Sequence, residues 1–142
     1  MNRARRGEGK PETFDFLGFT HCCAVRRSDG GSALQRRSIA TRVRVFLQRI
    51  KMGLRRRYAE SVNWQGQWLR QKVQGYFLYH AVPGNRAALE TVRRAVNRLW
   101  LRALRRRSQR HAMPWSRLTG WIRRWIPSTR IIHPYPNQRF AF

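Results

Sequence analysis

The feature that most constrains the fold is a change in the spacing of apolar residues near position 40. In the stretch ETFDFLGFTHCC, residues 12–23, Phe14, Phe16, Leu17 and Phe19 alternate with polar or small residues, a pattern that predicts a β-strand. Beyond position 40, apolar residues recur every three or four positions, as they do on one face of a helix. Together the two patterns predict an α+β chain, mostly α, with a short N-terminal β-hairpin, a four-helix bundle and an extended C-terminal tail.

Glycine, asparagine and proline residues indicate where these elements begin and end. The cluster Ser28-Asp29-Gly30-Gly31 predicts a hairpin turn, so we expect antiparallel pairing within residues 14–38. Asn85 is a candidate N-cap for the third helix, and Pro114 and Pro127 are expected to open and to end the fourth. The predicted helices cover residues 41–58, 64–80, 86–109 and 114–127. The tail RIIHPYPNQRFAF is expected to be extended and to pack back on the bundle through its aromatic residues.

The net charge of the chain indicates a polyanionic partner. The sequence contains 31 Lys and Arg against 6 Asp and Glu, which gives a formal charge of +25. Only Lys10, Lys51 and Lys72 are lysines, and arginine binds phosphate bidentately and stacks on bases, which suits folded RNA. A GC-rich genome would also favour arginine over lysine, but it would not produce the net charge. We therefore expect nucleic acid, and RNA in particular, as the partner.

Basic residues lie mostly off the apolar faces of the first and third predicted helices. This arrangement allows one face of a bundle to pack while another lies on phosphates. A single arginine is more often a solvated surface charge than a contact, but the set as a whole favours binding. If about 6–10 phosphates were neutralised, affinity would fall by about three to five powers of ten between low and moderately high salt. The candidate RNA-binding residues are Arg42, Arg49, Lys51, Arg55, Arg56, Arg57, Arg94, Arg98, Arg102, Arg105 and Arg106.

The residues that could carry catalysis are few and scattered. Four of the six carboxylates lie in the first 30 residues, whereas a two-metal nuclease or polymerase needs convergent carboxylates. The sequence His21-Cys22-Cys23 lacks the spacing of a zinc site. We therefore expect no catalysis by this chain alone and no cofactor. Adjacent cysteines rarely form a relaxed disulfide, so Cys22 and Cys23 favour a reduced, cytoplasmic setting. Since no apolar run is long enough for a membrane helix, no membrane association is expected.

Aromatic and histidine side chains on the helical faces are expected to pack in the core. Because Trp115 stands near a predicted helix start, it is the tryptophan that we expect to be most exposed. His80 is expected to be a core residue, and His133 a contact of the tail. The tryptophans expected in the core are Trp64, Trp68, Trp100, Trp121 and Trp125.

Four segments of the chain resemble a known family. They are GKPETFDFLGFTH, WLRQKVQGYFLYHAVPGN, LWLRALRRRSQ and RIIHPYPNQRFAF, and in this order they are similar to the C-terminal part of bacterial group II intron reverse transcriptase/maturases. The resemblance extends from Gly9 to Phe142. It implies a flexible basic lead-in over 1–11, a remnant of the polymerase palm over 12–40, and a helical thumb, the maturase domain or domain X, over 41–142.

The same resemblance suggests functions for particular segments. Phe16, Leu17, Gly18 and Phe19 match the family's hairpin that holds the primer strand near the polymerase active site. The thumb helices would bind intron RNA, or a template–primer duplex, in the bacterial cytoplasm.

The chain also departs from this family in one respect that bears on activity. The catalytic motif, an aromatic residue followed by Ala-Asp-Asp, is absent, and only ten residues precede PETFDF. We therefore expect RNA binding without RNA-directed DNA polymerase activity. Three alternatives stay open: a separate chain that carries the palm, a non-functional remnant, and a general basic protein that binds nucleic acid.

Overall fold

The computed structural model describes residues 13–25, 29–107 and 113–134. A three-stranded antiparallel sheet, in the order β1-β2-β3, precedes four helices. This architecture confirms the prediction of an α+β chain that is mostly α. The strands are β1 (Thr13–Phe16), β2 (Phe19–Val25) and β3 (Ser32–Ser38), and the helices are α1 (Ala40–Arg56), α2 (Val62–His80), α3 (Arg86–Arg107) and α4 (Trp115–Trp125).

The N-terminal sheet has one strand more than the predicted hairpin. A tight turn at Leu17 and Gly18, both with positive φ (50° and 84°), divides the expected opening strand, so that Phe16 pairs with Phe19. Positive φ at both central residues is the pattern of a type I′ hairpin turn. The second turn falls where it was predicted, and there the Asp29 carboxylate accepts a hydrogen bond from the Gly31 N–H at 3.1 Å.

The helices begin and end close to the predicted positions. In α2, the Ser61 hydroxyl caps the first turn by accepting a hydrogen bond from the Trp64 N–H at 3.3 Å. Helix α1 ends at Arg56, two residues before the predicted end, so Tyr58 lies beyond it and is exposed. Pro114 directly precedes α4, as predicted. Residues 108–109 at the predicted end of the third helix lie outside the described residues.

The hydrophobic core lies between the four helices. Trp100 of α3 is completely buried, and its indole N–H donates to the Gln65 side-chain oxygen of α2 at 3.1 Å. The Gln65 amide in turn donates to the backbone oxygen of Arg57 at 2.9 Å. This buried chain of hydrogen bonds links α3, α2 and the end of α1. The other apolar side chains buried in the core include Ile50, Leu54, Leu69, Val73, Phe77, Leu89, Val92, Val96, Leu101, Leu104, Leu118, Ile122 and Ile126.

Glycine allows α2 to approach α4 closely. Gly66 of α2 lies against the indole of Trp125, and a Cβ atom at this position would stand 2.5 Å from Trp125 Cγ and 2.9 Å from Nε1. Real Cβ atoms essentially never come this close to another heavy atom. Gly53 of α1 has the same relation to the indole of Trp68 on α2. The two tryptophans thus pack directly onto helix backbone.

Asn85 joins the sheet to the bundle. It directly precedes α3, where an N-cap was predicted, and its backbone oxygen accepts a hydrogen bond from the Leu89 N–H at 3.1 Å. Its buried side chain, however, bonds to Ser38 and His80 instead of capping the first turn of the helix. Its side-chain oxygen accepts from the Ser38 N–H at 2.9 Å, while its amide donates to the Ser38 hydroxyl at 2.9 Å and to the His80 backbone oxygen at 2.8 Å. The side chain therefore fixes the end of β3 to the α2–α3 connection.

The beginning of the tail packs on this connection. The backbone N–H groups of Ile132 and His133 donate to the Ala81 oxygen at 3.1 and 3.0 Å, and the His133 ring nitrogen Nε2 lies 2.6 Å from the Leu78 oxygen. The predicted contact of His133 is confirmed. The rest of the predicted tail, residues 135–142, lies outside the described residues. Among the described residues, none of the four helices combines the length and the apolar character needed to span a membrane.

The predictions for Trp64 and Trp115 are wrong, and those for the other four tryptophans are confirmed. Trp100 is buried, and Trp68, Trp121 and Trp125 are half-buried against the core. Trp64, however, is 64% exposed, more than Trp115 at 47%. Trp68 packs against Gly53 near the end of α1, and Trp64 lies one turn earlier in α2, where α1 no longer covers it.

Candidate nucleic-acid interface

Two rows of cations face each other across the groove between α1 and α3. We call this the α1–α3 groove. Its floor is formed by apolar side chains of both helices, including Leu47, Leu54, Leu99 and Ala103. Tyr58 stands at one end, and its hydroxyl donates to the Arg106 backbone oxygen at 3.4 Å. The cations that line the groove are Arg44, Lys51 and Arg55 from α1 and Arg98, Arg102 and Arg106 from α3.

Helical spacing and packing together produce the two rows. Arg98, Arg102 and Arg106 are four residues apart and therefore lie on one face of α3. At a rise of about 1.5 Å per residue, their row is about 12 Å long, and the row from Arg44 to Arg55 is about 16 Å long. Each row thus matches about four or five base pairs of duplex along its axis.

The electrostatics of the groove favour an extended anion. No carboxylate is among the described residues that line it. Lys51 is half-buried, and the arginines around it are exposed. Since like charges are held on both walls, the repulsion between them would be relieved by a phosphate backbone lying between the rows.

Other predicted RNA-binding residues lie on the opposite side of α1. Arg49, Arg56 and Arg57 line a groove between α1 and α2 together with Trp68 and Lys72. Arg57 is held there, since its guanidinium lies 4.3 Å from the centroid of the Trp68 ring and donates to the Gly53 oxygen at 3.2 Å. It is also 4.0 Å from the Glu60 carboxylate. Arg57 therefore has a structural role in this fold.

The remaining predicted residues lie outside both grooves. Arg94 pairs with the Glu90 carboxylate at 3.7 Å, and the Arg105 Nε–H donates to the Met113 oxygen at 3.1 Å. Arg42 lies next to the turn of the sheet, since a Cβ atom at Gly18 would be 3.8 Å from its Cδ. The eleven predicted residues thus divide between several surfaces, and five of them share the α1–α3 groove: Lys51, Arg55, Arg98, Arg102 and Arg106.

Sequence analysis missed one cation of the α1–α3 groove and the cluster of arginines at the end of α4. Arg44 precedes Lys51 by seven residues, two helical turns, so its place on the same face of α1 could have been found from spacing. Arg70, Arg123 and Arg124 meet at the end of α4. Their proximity has no local signal, because it depends on how α4 packs against α2.

The four residues that match a primer-holding hairpin have different environments. Phe16 and Leu17 are 59% and 68% exposed, whereas Phe19 is only 6% exposed. The Phe19 ring stacks on Tyr79 with centroids 5.8 Å apart, and the Tyr79 hydroxyl donates to the Leu17 oxygen at 2.8 Å. Gly18 is buried. Phe19 therefore anchors the turn to α2, while the other two side chains line an open apolar groove of about 570 Å³.

His80 lies buried beneath this turn, as predicted. Its ring stacks on Tyr76 at 4.0 Å, contacts Phe19 at 5.3 Å, and Nδ1 lies 3.0 Å from the Tyr76 oxygen. Burial, aided by the nearby positive charge of Arg42, lowers the pKa of His80 below its usual 6.5, against the opposing effect of the hydrogen bond. Burial raises the pKa of Tyr76 for the same reason, because it disfavours the charged form of either group.

Within the described ranges, no group of three or more His, Cys, Asp or Glu side chains is placed to hold a metal ion. Comparison with protein-family models, curated proteins and solved structures finds no match to the chain.

Proposed function

We propose that this chain is an RNA-binding module of the maturase type, in which the α1–α3 groove binds the phosphates of folded intron RNA. The observation that carries the proposal is the convergence of six cations from two helices on one groove that no described carboxylate lines. Binding would neutralise the walls of the groove and stabilise the splicing-competent form of the RNA.

The choice of RNA, and of intron RNA, has two supports. Five of the six cations in the groove are arginines, whose planar guanidinium groups bind phosphate bidentately and stack on bases. The second support is the resemblance of four segments to group II intron reverse transcriptase/maturases. On this proposal the helices are the thumb of such a protein, acting in the bacterial cytoplasm, and a separate chain that carries the palm is a candidate partner.

A second candidate is a general basic protein that binds nucleic acid without selecting a structure. The distribution of cations favours it, because arginines also line the groove between α1 and α2 and the end of α4. A protein covered with cations on several sides binds any polyanion tightly at low salt. The two candidates therefore differ in selectivity and not in charge.

The deciding experiment measures affinity for a folded group II intron RNA and for a scrambled RNA of equal length over a salt series. We expect a preference for the intron RNA that persists at moderate salt. In the variant Arg98→Glu/Arg102→Glu, affinity should fall about 10- to 100-fold, and the slope of log K against log salt should become less steep by about 2.

The matched control is the variant Arg86→Glu/Arg117→Glu, which makes the same change in charge. Both residues are exposed and lie in the first turns of α3 and α4, where glutamate interacts favourably with the helix dipole. If the control loses as much affinity as Arg98→Glu/Arg102→Glu, the groove is not the binding surface. If the intron RNA and the scrambled RNA bind equally at every salt concentration, the maturase proposal is wrong and the general binding protein is right.

A further inference from the structure

A further basic groove lies at the C-terminal end of α4. Arg70 of α2 and Arg123 and Arg124 of α4 line it, together with Arg93 of α3, around the backbone of Pro127. We call it the α4-end groove; its volume is about 420 Å³. None of its four arginines belongs to the predicted RNA-binding set.

The end of α4 is held in place by defined contacts. The Arg93 Nε–H donates to the Pro127 oxygen at 3.0 Å, and the Arg124 guanidinium lies 5.2 Å from the centroid of the Trp125 ring. Trp125 itself packs on the backbone of Gly66. The cations therefore project from a fixed junction of three helices rather than from a loop.

The charge of the α4-end groove is only partly compensated. A nearby carboxylate, that of Glu90, interacts with Arg93 at 3.9 Å and with Arg94 at 3.7 Å. The Thr129 hydroxyl also donates to Glu90 at 3.0 Å. Among the described residues, Arg70 and Arg123 have neither an ion pair nor a side-chain hydrogen bond, and both are exposed.

The α1–α3 groove and the α4-end groove lie on opposite sides of α3. At 3.6 residues per turn, Arg93 is rotated by about 140° from Arg98 and Arg106 and by about 180° from Arg102. With side chains, a helix is about 10–12 Å across. A straight stretch of RNA that lies between α1 and α3 therefore cannot also contact the α4-end groove.

We infer that the chain binds two separate segments of RNA backbone at once, one in each groove, and so bridges them. This inference rests on the proposed function, since it takes the α1–α3 groove as the first site. The ligand of the second site is the phosphate backbone, because four arginines line the groove. Trp125, the aromatic residue of this lining, packs against Gly66 and is therefore not available to stack on a base. Bridging is the physical means by which a small basic protein would hold two parts of a folded RNA together.

The test uses two short RNA hairpins, one labelled with a donor fluorophore and one with an acceptor. With the full chain we expect energy transfer that rises with protein concentration and then falls when protein exceeds RNA. The variant Arg70→Glu/Arg123→Glu should lower this transfer at least about tenfold while a single hairpin still binds, because two of the phosphate contacts of the second site are removed. Circular dichroism establishes that each variant is folded, and Arg70→Gln/Arg123→Gln provides a milder change.

The outcomes separate this inference from the proposed function. The control Arg86→Glu/Arg117→Glu should retain the transfer, whereas Arg98→Glu/Arg102→Glu should lose both transfer and tight binding of a single hairpin. If Arg70→Glu/Arg123→Glu behaves like the control, or if native mass spectrometry shows one hairpin per chain at saturation, bridging is refuted while the proposed function stands. If Arg98→Glu/Arg102→Glu leaves single-hairpin affinity unchanged, the proposed function fails, and bridging, which needs the α1–α3 groove, fails with it.

Discussion

Replacing Gly66 with alanine should destabilise the protein, whereas the same replacement at Gly75, in the same helix, should stabilise it. A Cβ atom at Gly66 would lie 2.5 Å from Trp125 Cγ, near the base of a side chain whose indole is packed against the core. A Cβ atom at Gly75 would have nothing within 4 Å. The two substitutions are chemically identical and differ only in what the new methyl group meets.

The magnitude follows from two opposing effects. Alanine in a helix interior is more favourable than glycine by about 0.8–1.0 kcal/mol, so Gly75→Ala should raise the free energy of unfolding by about this amount. Gly66→Ala gains the same propensity but forces extra volume into a packed contact, which costs about 1–3 kcal/mol. Since the propensity gain cancels in the comparison, the two variants should differ by about 1–3 kcal/mol, the cost of the clash.

Urea denaturation followed by circular dichroism measures this difference directly. Gly120→Ala in α4 is a second control, because a Cβ atom there would also have nothing within 4 Å. If Gly66→Ala and Gly75→Ala shift the free energy of unfolding in the same direction and by the same amount, α2 does not contact α4 through Gly66, and the packing described above is wrong.

Three further predictions concern buried polar groups. Asn85→Ala should lower the free energy of unfolding by about 1.5–4 kcal/mol, since two hydrogen bonds to Ser38 of the sheet and one to the His80 backbone oxygen of α2 are lost; urea denaturation measures this. Trp100→Phe should cost about 1–3 kcal/mol by leaving the buried Gln65 oxygen without its donor, and the same denaturation measures it. Burial lowers the pKa of His80 in the folded protein, so the unfolded chain binds a proton at this residue more readily than the folded protein does. The contribution of His80 to the free energy of unfolding should therefore be fully present above its unfolded pKa of about 6.5 and should decrease as the pH falls below that value. Denaturation at a series of pH values tests this.

Each of these predictions has a matched comparison. Asn63 is an exposed asparagine of α2, and its replacement with alanine should change the free energy of unfolding by no more than about 0.5 kcal/mol. An equal effect at Asn63 and Asn85 would contradict the proposed role of Asn85 in joining the sheet to the bundle. In the double variant Gln65→Leu/Trp100→Phe the buried oxygen and its donor are removed together, while the Arg57 oxygen loses its hydrogen bond as it does in Gln65→Leu alone, so the double variant should lose less stability than the sum of the two single variants. In His80→Phe the decrease of stability below pH 6.5 should be smaller, and an unchanged pH profile would exclude His80 as its source.

Local patterns in the sequence were enough to locate most elements of the fold. Apolar residues at three- and four-residue spacing predicted the four helices to within a few residues, because the spacing reflects the helical period itself. The turn at Leu17 and Gly18 was missed since apolar residues continue on both sides of it. Trp64 was wrongly placed in the core because helical spacing says which face a residue occupies, but not whether a neighbouring helix extends far enough to cover it.

The sequence by itself determined the fold class and the large positive charge, and from that charge we predict a polyanionic partner. Only the tertiary structure decided which cations lie together. Lys51 and Arg102 face one groove although they are far apart in sequence, whereas Arg57 and Arg94 are engaged by Trp68 and Glu90. The physical reason is that charge and periodicity are properties of the chain, while the surroundings of a side chain depend on how helices distant in sequence pack.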